Sequence, residues 1–285
     1  MPLALWALVS LVLSLTAGCS NVGESRSSVP AGPVLSIEPV TDGLAAHRPA
    51  VAGVNGLVTA GHPLASMAGI QTLMRGGTAA DAAVTVLATL NQVEPMMSGA
   101  GGNGFMTVYD SVTGGVHSLN ATGAAPKALE AGNITADELN RGIQAGVVPG
   151  LVGGWIALLE RFGTMTLRQV LEPAIEYAEQ GHPLDPFVAD AIARSRSLFE
   201  LYPSSAAVFM PEGALPHPGQ RFTYPDLART FHKLVEAEET ARLSGATREV
   251  GLRAAFTRFY RGDIAREMSR FYEEHDGLFT RGDFA

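Results

Sequence analysis

The glycine-rich loop Ser98–Gly104 holds the residue types that most directly suggest chemistry. Gly99, Gly101 and Gly104 match the G-x-G-x-x-G spacing that cradles a dinucleotide pyrophosphate. That fingerprint follows a strand and opens a helix, whereas this loop follows a helical pattern and opens a strand pattern. We therefore interpret it either as a tight turn with positive φ at several glycines or as a backbone wall against a substrate pocket.

Other residue types that carry chemistry show no arrangement of their own. The seven histidines lack ligand spacing such as H-E-x-x-H, and we predict structural or surface roles for them. They include His62, His117, His182 and His232. Glu236, Glu238 and Glu239 predict a solvated helix face rather than a metal cluster. No G-x-S-x-G nucleophile elbow occurs.

Charge and cysteine content exclude two broad classes. The formal net charge is -8 and no run of Lys or Arg is present, so we predict no nucleic-acid partner. The chain has one cysteine, Cys19, which excludes a disulfide within the chain.

The elements around the glycine loop are predicted from local patterns. Residues 51–60 indicate a strand, and Leu64 to Met74 indicate a helix that ends at Gly76-Gly77. Thr78 and Asp81 form a capping-box pattern before a helix that is apolar nearly all round, which is typical of a buried helix. After the loop, alternation from Phe105 and a Gly114-Gly115 turn predict a β-hairpin.

The remainder of the chain predicts mostly helices, because apolar residues recur at helical spacing. Residues 203–220 are rich in Pro and Gly and predict a loop. The predicted helices are 150–161, 166–180, 185–199, 225–241, 248–260 and 262–272.

The first residues predict export. Leu3 to Leu15 is an apolar run of signal-peptide length, and small residues precede Cys19 as in a bacterial lipoprotein cleavage box. We predict a signal peptide over 1–19 with Cys19 lipidated, a flexible linker over 20–46 and a folded region over 47–285. The protein would then contact a bacterial membrane, in the periplasm or at the cell surface, through a lipid anchor. An ordinary export signal and a misplaced initiation codon are the alternatives.

A series of short motifs runs in a fixed order through residues 50–285. They are Ala65-Ser66, Ala68-Gly69, Gly76-Gly77, Ala79-Ala80-Asp81-Ala82-Ala83-Val84, Glu94-Pro95, Ser98-Gly99, Gly101-Gly102, Gly104-Phe105-Met106, Val148-Pro149-Gly150, Gly154-Trp155, Glu160-Arg161-Phe162-Gly163, Pro173-Ala174-Ile175, Phe259-Tyr260, Gly262, Ile264-Ala265, Gly277-Leu278-Phe279-Thr280 and Asp283. In this order they resemble the gamma-glutamyltranspeptidase family of N-terminal nucleophile hydrolases.

The resemblance implies an α/β (α+β) fold of the αββα sandwich type, incomplete in this chain and with a large helical region. It implies hydrolysis of an amide, typically the gamma-glutamyl bond of glutathione, or transfer of the acyl group. In the family a precursor cleaves itself, and the new amino-terminal Thr is the nucleophile, with its own amine as the base. The implied partners are a gamma-glutamyl or other acyl-amide small molecule and the carboxy-terminal small subunit. No metal or organic cofactor is implied.

Two departures from the family shape our expectations. Aligning on Ala125-Pro126 places Thr122 where the family has the Arg that binds the α-carboxylate of the substrate, so bidentate recognition is lost there. No Thr-Thr pair occurs, so the nucleophile is absent and no catalytic residue is assigned. We expect an amino-terminal part of a precursor, inactive alone. The alternatives are a related amidohydrolase or acylase with a non-glutamyl substrate, and a truncated, non-catalytic binding protein.

Overall fold

The first helix forms as its sequence predicts. The structure, a computed structural model, describes residues 51–130, 132 and 134–284. Helix α1 (Pro63–Met74) is capped by the imidazole of His62. It ends in a Schellman-type turn in which Gly76 has a φ of 89° and the N–H of Gly77 donates to the carbonyl oxygen of Thr72.

The second helix, α2 (Ala79–Val93), confirms both the capping box and the predicted burial. Thr78 Oγ1 accepts from the N–H of Asp81, and the Asp81 carboxylate accepts from the N–H of Thr78. The helix is covered by α1 on one side and by later helices on the other, and even the polar side chains of Thr85 and Thr89 are buried. Each of these hydroxyls donates to the carbonyl one turn earlier, which satisfies it without water.

The predicted strand over residues 51–60 is wrong. This segment is extended but has no strand partner among the described residues. Val54 is fully exposed, and Val51 and Leu57 are largely exposed. A strand needs a neighbour for its backbone groups, and local apolar content cannot supply one.

The predicted hairpin is confirmed. Strands β1 (Gly104–Asp110) and β2 (Gly115–Ala121) pair antiparallel, with Tyr109 opposite Val116 and Gly104 opposite Ala121. Gly114 supplies the positive φ of 69° that the turn requires. One face of the hairpin packs on the helices, and the other face is exposed.

The rest of the described chain is mostly helical. The helices are α3 (Ala136–Asn140), α4 (Leu151–Phe162), α5 (Leu167–Gln180), α6 (Pro186–Arg194), α7 (Arg196–Phe199), α8 (Pro203–Phe209), α9 (Pro225–Leu243), α10 (Arg248–Arg261) and α11 (Asp263–Glu274). A short ladder joins β3 (His182–Pro183) to β4 (Arg221–Phe222). Three-residue 3₁₀ turns occur at Ile143–Ala145, Pro211–Gly213 and Arg281–Asp283.

Two helix predictions need correction. The predicted helix over 185–199 is two helices, because the chain turns at Ser195 between α6 and α7. The predicted loop over 203–220 begins with α8, since Pro203 occupies the first helical turn, where proline loses no hydrogen bond. The short helix α3 was not predicted.

The main hydrophobic core lies between α2, α4, α5, α9 and α10. Trp155 of α4 is fully buried and its ring lies 6.1 Å from that of Phe231 in α9. Leu171 of α5 and Leu252 of α10 complete the centre. The apolar faces that the periodicity predicted are therefore the faces that meet in the core.

The prediction of a solvated acidic face on α9 is wrong for one of its residues. Glu238 is fully buried, and its Oε2 accepts from the N–H of Leu167, the first residue of α5. Burial raises the pKa of this carboxyl group. Glu236 and Glu239 lie at the surface and pair with arginines, as a solvated face requires. A group of three or more His, Cys, Asp or Glu suited to a metal ion is absent from the described part of the chain.

Candidate functional site

The glycine loop between α2 and β1 is fixed to the start of α4. The carbonyl oxygen of Gly102 accepts from the N–H groups of Gly150 and Leu151, both at 3.0 Å. These are donors that the first turn of a helix leaves without intrahelical partners. The loop therefore has a defined position relative to the helix that packs beneath the hairpin.

Positive φ is not the reason for the glycines of this loop, so the first of our two interpretations is wrong. Positive φ occurs elsewhere among the described glycines but not at Gly99, Gly101, Gly102 or Gly104. Gly104 packs closely on α4, and a Cβ there would lie 2.9 Å from Leu151 Cδ1, so the end of that side chain would have to shift. Space beside Gly99 and Gly101 is open.

The alternative interpretation, a backbone wall against a pocket, agrees with the structure. A cleft of about 390 Å³ lies between the end of α2, the glycine loop and the start of β1. Its wall includes Ser98, Gly99, Gly102 and Asn103, and Met96 and Phe105 supply apolar surface. The volume is in the range of small-molecule sites.

Thr122 lies next to this loop. It follows β2 directly, and its N–H donates to the side-chain oxygen of Asn120 at 2.8 Å. The next N–H, that of Gly123, donates to Oδ1 of Asn103 in the glycine loop at 3.3 Å. The Thr122 side chain is exposed, and no hydrogen bond to its hydroxyl is present among the described residues. The structure thus brings the segment that contains Thr122 beside the glycine loop, through Gly123 and Asn103, which are 20 residues apart in sequence.

The backbone around Thr122 is held by direct backbone packing. A Cβ on Gly123 would collide with the carbonyl oxygen of Val148, and one on Gly150 would collide with that of Ala121. The N–H of Val148 donates to the carbonyl oxygen of Ala124 at 2.9 Å. We call residues 121–124 the Thr122 segment. Its path is set by these contacts and does not depend on the side chain at position 122.

The chain after this segment is fastened by Asp283. The N–H of Lys127 donates to Asp283 Oδ1 at 2.9 Å, and Lys127 Nζ donates to the carbonyl oxygen of Gly282 at 2.7 Å. Burial opposes ionisation of Asp283, but the hydrogen bonds from Lys127 and Thr280 outweigh it and lower the pKa of Asp283. The ammonium of Lys127, the nearest cation to Thr122 in sequence, is therefore already engaged elsewhere.

Asn103 is a site residue that sequence reasoning missed. It is the one polar side chain among the last four residues of the glycine loop, Gly101–Gly104, and an amide there can accept from a neighbouring backbone. Its contact with Gly123 depends on the pairing of β1 with β2, which the loop sequence alone does not show. The feature of the sequence that could have indicated Asn103 is a single polar residue between glycines.

The outer face of the hairpin adjoins the same region and carries large apolar side chains. Phe105, Tyr109 and Val116 are 77%, 67% and 66% exposed. Their inward neighbours Met106 and Val108 pack on the core. This outer face also carries Thr107, Ser118 and Asn120. A strand pair with one face packed and large apolar side chains exposed on the other is suited to further covering by protein.

Comparison with known proteins identifies the family. The sequence profile of gamma-glutamyltranspeptidase matches residues 65–285. The chain belongs to the gamma-glutamyltranspeptidase family. The motifs named above lie almost entirely within this match, so the resemblance inferred from them is confirmed.

Individual relatives carry different activities in their names. The chain is 34% identical over 242 residues to a glutathione hydrolase proenzyme of Bacillus subtilis, covering 81% of this chain and 38% of the relative. It is 33% identical over 260 residues to the acylase ACY 1 proenzyme of a Pseudomonas species, covering 86% and 43%. The chain thus spans about two fifths of the length of these relatives.

Solved structures confirm the fold class. The Helicobacter pylori gamma-glutamyltranspeptidase matches with a TM-score of 0.72 and 29% identity, over 83% of this chain and 65% of that one. A cephalosporin acylase from Bacillus halodurans matches with a TM-score of 0.67 and 28% identity, over 86% and 45%. The α/β fold of this family, with its large helical region, is therefore present in the described residues.

Some predicted features lie outside the described residues. These are Cys19, the signal peptide, the whole of the predicted linker over 20–46 and the first four residues of the predicted folded region. Within residues 51–284, apart from 131 and 133, no helix is long and apolar enough to cross a membrane.

Proposed function

We propose that this chain provides the amino-terminal part of a self-processing amide hydrolase or acyltransferase of the glutathione hydrolase type. The observation that carries the proposal is that the Thr122 segment is held against the glycine loop. The alignment on Ala125-Pro126 places the family's substrate-binding arginine at position 122. Support comes from relatives that are named proenzymes and are more than twice as long as the matched region.

In the proposed reaction, the nucleophilic Thr comes from a carboxy-terminal portion of the precursor. Its hydroxyl attacks the acyl carbon of the amide while its amine accepts the hydroxyl proton and passes it to the leaving nitrogen as the C–N bond breaks. Water or an acceptor amine then attacks the resulting acyl ester and regenerates the Thr hydroxyl. Donors in an oxyanion hole stabilise the tetrahedral intermediate. The described residues supply the cleft wall and the Thr122 segment, which orient the acyl group.

The hairpin's outer face is the proposed contact with that carboxy-terminal portion. Covering Phe105, Tyr109 and Val116 would remove exposed apolar surface, which favours association by roughly 25 cal/mol per Å² buried. The outer edges of β1 and β2 have no strand partner in the described part of the chain, and they offer backbone groups to further strands.

Thr122 supports a second candidate, an acylase whose substrate lacks an α-carboxylate. Its hydroxyl cannot form the two parallel hydrogen bonds of a guanidinium, and Lys127 Nζ is bonded to Gly282. The named acylase relative belongs to the same family. One variant distinguishes the candidate with a gamma-glutamyl substrate from the candidate with a non-glutamyl substrate.

We predict that Thr122→Arg in the processed enzyme raises kcat/KM for a gamma-glutamyl anilide about tenfold or more. A bidentate charged contact contributes about 1.5–3 kcal/mol, and about 1.4 kcal/mol corresponds to tenfold. Ser111→Arg, in the exposed hairpin turn, is the control because it adds the same charge away from the segment. An equal response to both variants, or none to Thr122→Arg, would show that position 122 does not recognise the α-carboxylate.

The proposal as a whole is tested on protein from its native cells. Intact mass and amino-terminal sequencing should reveal a second polypeptide that begins with Thr, and the complex should release an amine from a gamma-glutamyl or acyl amide. A stable, processed complex without amidase activity on either substrate class would refute an enzymatic role and favour the non-catalytic binding protein.

We also propose that Cys19 is lipidated and anchors the protein to a bacterial membrane. The support is the apolar run followed by small residues before Cys19. Wild-type protein should partition into the detergent phase of a Triton X-114 extraction, and a Cys19→Ser variant should stay in the aqueous phase. Aqueous partition of the wild type would count against the anchor.

A further inference from the structure

A cavity that shares no lining residue with the cleft beside the glycine loop combines aromatic walls with hydrogen-bond donors. It measures about 410 Å³ and lies between residues 140–146, residues 198–205 and helix α11. Leu198, Phe199 and Phe271 form its apolar lining. This volume would hold a ligand with a single aromatic ring.

Two phenol hydroxyls line the same cavity. Tyr202 Oη accepts from the N–H of Ile143 at 3.0 Å, so its own proton remains free to donate. Tyr272 Oη lies against Gly146, where a Cβ would come within 2.7 Å, and no hydrogen bond of this hydroxyl is found among the described residues. Burial, and secondarily the proximity of Tyr202, raises the pKa of Tyr272, so that it stays protonated at neutral pH.

Arg141 adds a positive charge to this lining. It follows α3, its backbone N–H donates to the carbonyl oxygen of Asp137, and its side chain forms no ion pair with the described residues. Arg196, on the opposite wall's helix α7, is paired with Glu200, so Arg141 is the guanidinium of this region that is left for a ligand among the described residues. An unpaired guanidinium beside two hydroxyl donors favours a negatively charged acceptor, and a carboxylate suits it best.

We propose that this cavity binds a small aromatic carboxylate. Its ring would lie against Phe199 and Phe271, and its carboxylate would accept from Arg141 and from the hydroxyls of Tyr202 and Tyr272. The site is separate from the proposed amidase chemistry and would remain if that proposal failed.

The test compares phenylacetate with its neutral analogue phenylacetamide by isothermal titration calorimetry on the full-length protein. We expect saturable phenylacetate binding with a millimolar Kd or tighter, about what a ligand of this size reaches, and at least tenfold weaker binding of the amide. Equal affinities, or no saturable phenylacetate binding, would overturn the proposal.

Variants assign the binding to this cavity. Arg141→Met should weaken phenylacetate binding about tenfold, and Tyr272→Phe, which keeps the ring, should weaken it severalfold. Arg266→Met is the matched control, since Arg266 is exposed on α11 and does not line the cavity. Ala145→Trp should block binding by filling the cavity. Circular dichroism confirms that each variant is folded, and unchanged binding in both Tyr272→Phe and Ala145→Trp would place the ligand elsewhere.

Discussion

Replacing Asp81 by Asn tests how the α2 capping box is connected to the rest of the fold. The Asp81 carboxylate is fully buried. One oxygen accepts from the N–H groups of Thr164 and Met165, both at 3.1 Å, and the other from the N–H of Thr78 at 2.8 Å. Burial opposes ionisation, yet these hydrogen bonds outweigh it and lower the pKa of Asp81. One side chain thus joins the start of α2 to the loop between α4 and α5.

The expected cost follows from these contacts. Asn retains one oxygen, and its NH₂ group then faces a backbone N–H as donor against donor. A buried unsatisfied N–H costs about 1–3 kcal/mol, and loss of charge weakens the remaining bonds by about 1 kcal/mol or more. We therefore expect the free energy of unfolding to fall by about 3–4 kcal/mol. At about 2–4 °C per kcal/mol, the melting temperature would fall by roughly 10 °C.

Urea denaturation followed by the fluorescence of buried Trp155 measures this difference. Glu138→Gln is the matched control, because Glu138 completes the same kind of capping box with Thr135 on the exposed helix α3. Its neutralisation should have little effect. A loss below about 1 kcal/mol for Asp81→Asn, or a loss equal to that of the control, would refute the reasoning, since buried unpaired donors cost more.

Three further predictions concern buried positions. Burial, and secondarily the charge of His62, lowers the pKa of His182 from 6.5 to about 4. The free energy of unfolding should therefore fall by on the order of 3 kcal/mol as the pH drops from 6.5 to about 4. In His182→Gln, urea denaturation at each pH should show a free energy of unfolding that depends less on pH. Burial raises the pKa of Glu238, so stability should decline as pH rises above 4.5. Glu238→Gln should abolish that decline in the same measurement, because the amide does not ionise. Its oxygen still accepts from the N–H of Leu167, so the contact itself is kept. Gly123→Ala should cost about 2 kcal/mol or more in urea denaturation, since its Cβ would meet the Val148 carbonyl.

Local sequence patterns predicted the helix ends and the turn that are stabilised by contacts within a few residues. Thr78 with Asp81, the Gly76-Gly77 stop and the Gly114 turn each act within a few residues, and each was found where its pattern stands. The stability of each depends on backbone groups only a few residues away, so the local sequence is enough to predict it. The apolar spacing of the later helices predicted the core for the same reason.

Long-range contacts explain what the sequence did not predict. Glu238 resembles its solvated neighbours in sequence, but 71 residues separate it from the Leu167 N–H that holds it in the interior. The strand predicted over residues 51–60 lacked a partner, which no local pattern can provide. Asn103 became recognisable as a site residue only through Gly123, which the hairpin brings beside it.

The candidate site divides position and recognition between different residues. The lack of a Cβ at Gly123 allows the backbone after Thr122 to lie directly against Val148, and the lack of one at Gly150 allows it to lie against Ala121, just before Thr122. The Thr122 side chain, by contrast, is exposed and takes part in none of these contacts. Under the proposed function, a new side chain at position 122 would change what the site binds while the backbone stays in place, whereas a single methyl group at position 123 would displace the segment. In that proposal, a change of specificity at position 122 requires no change in the scaffold, as expected where one fold carries different activities.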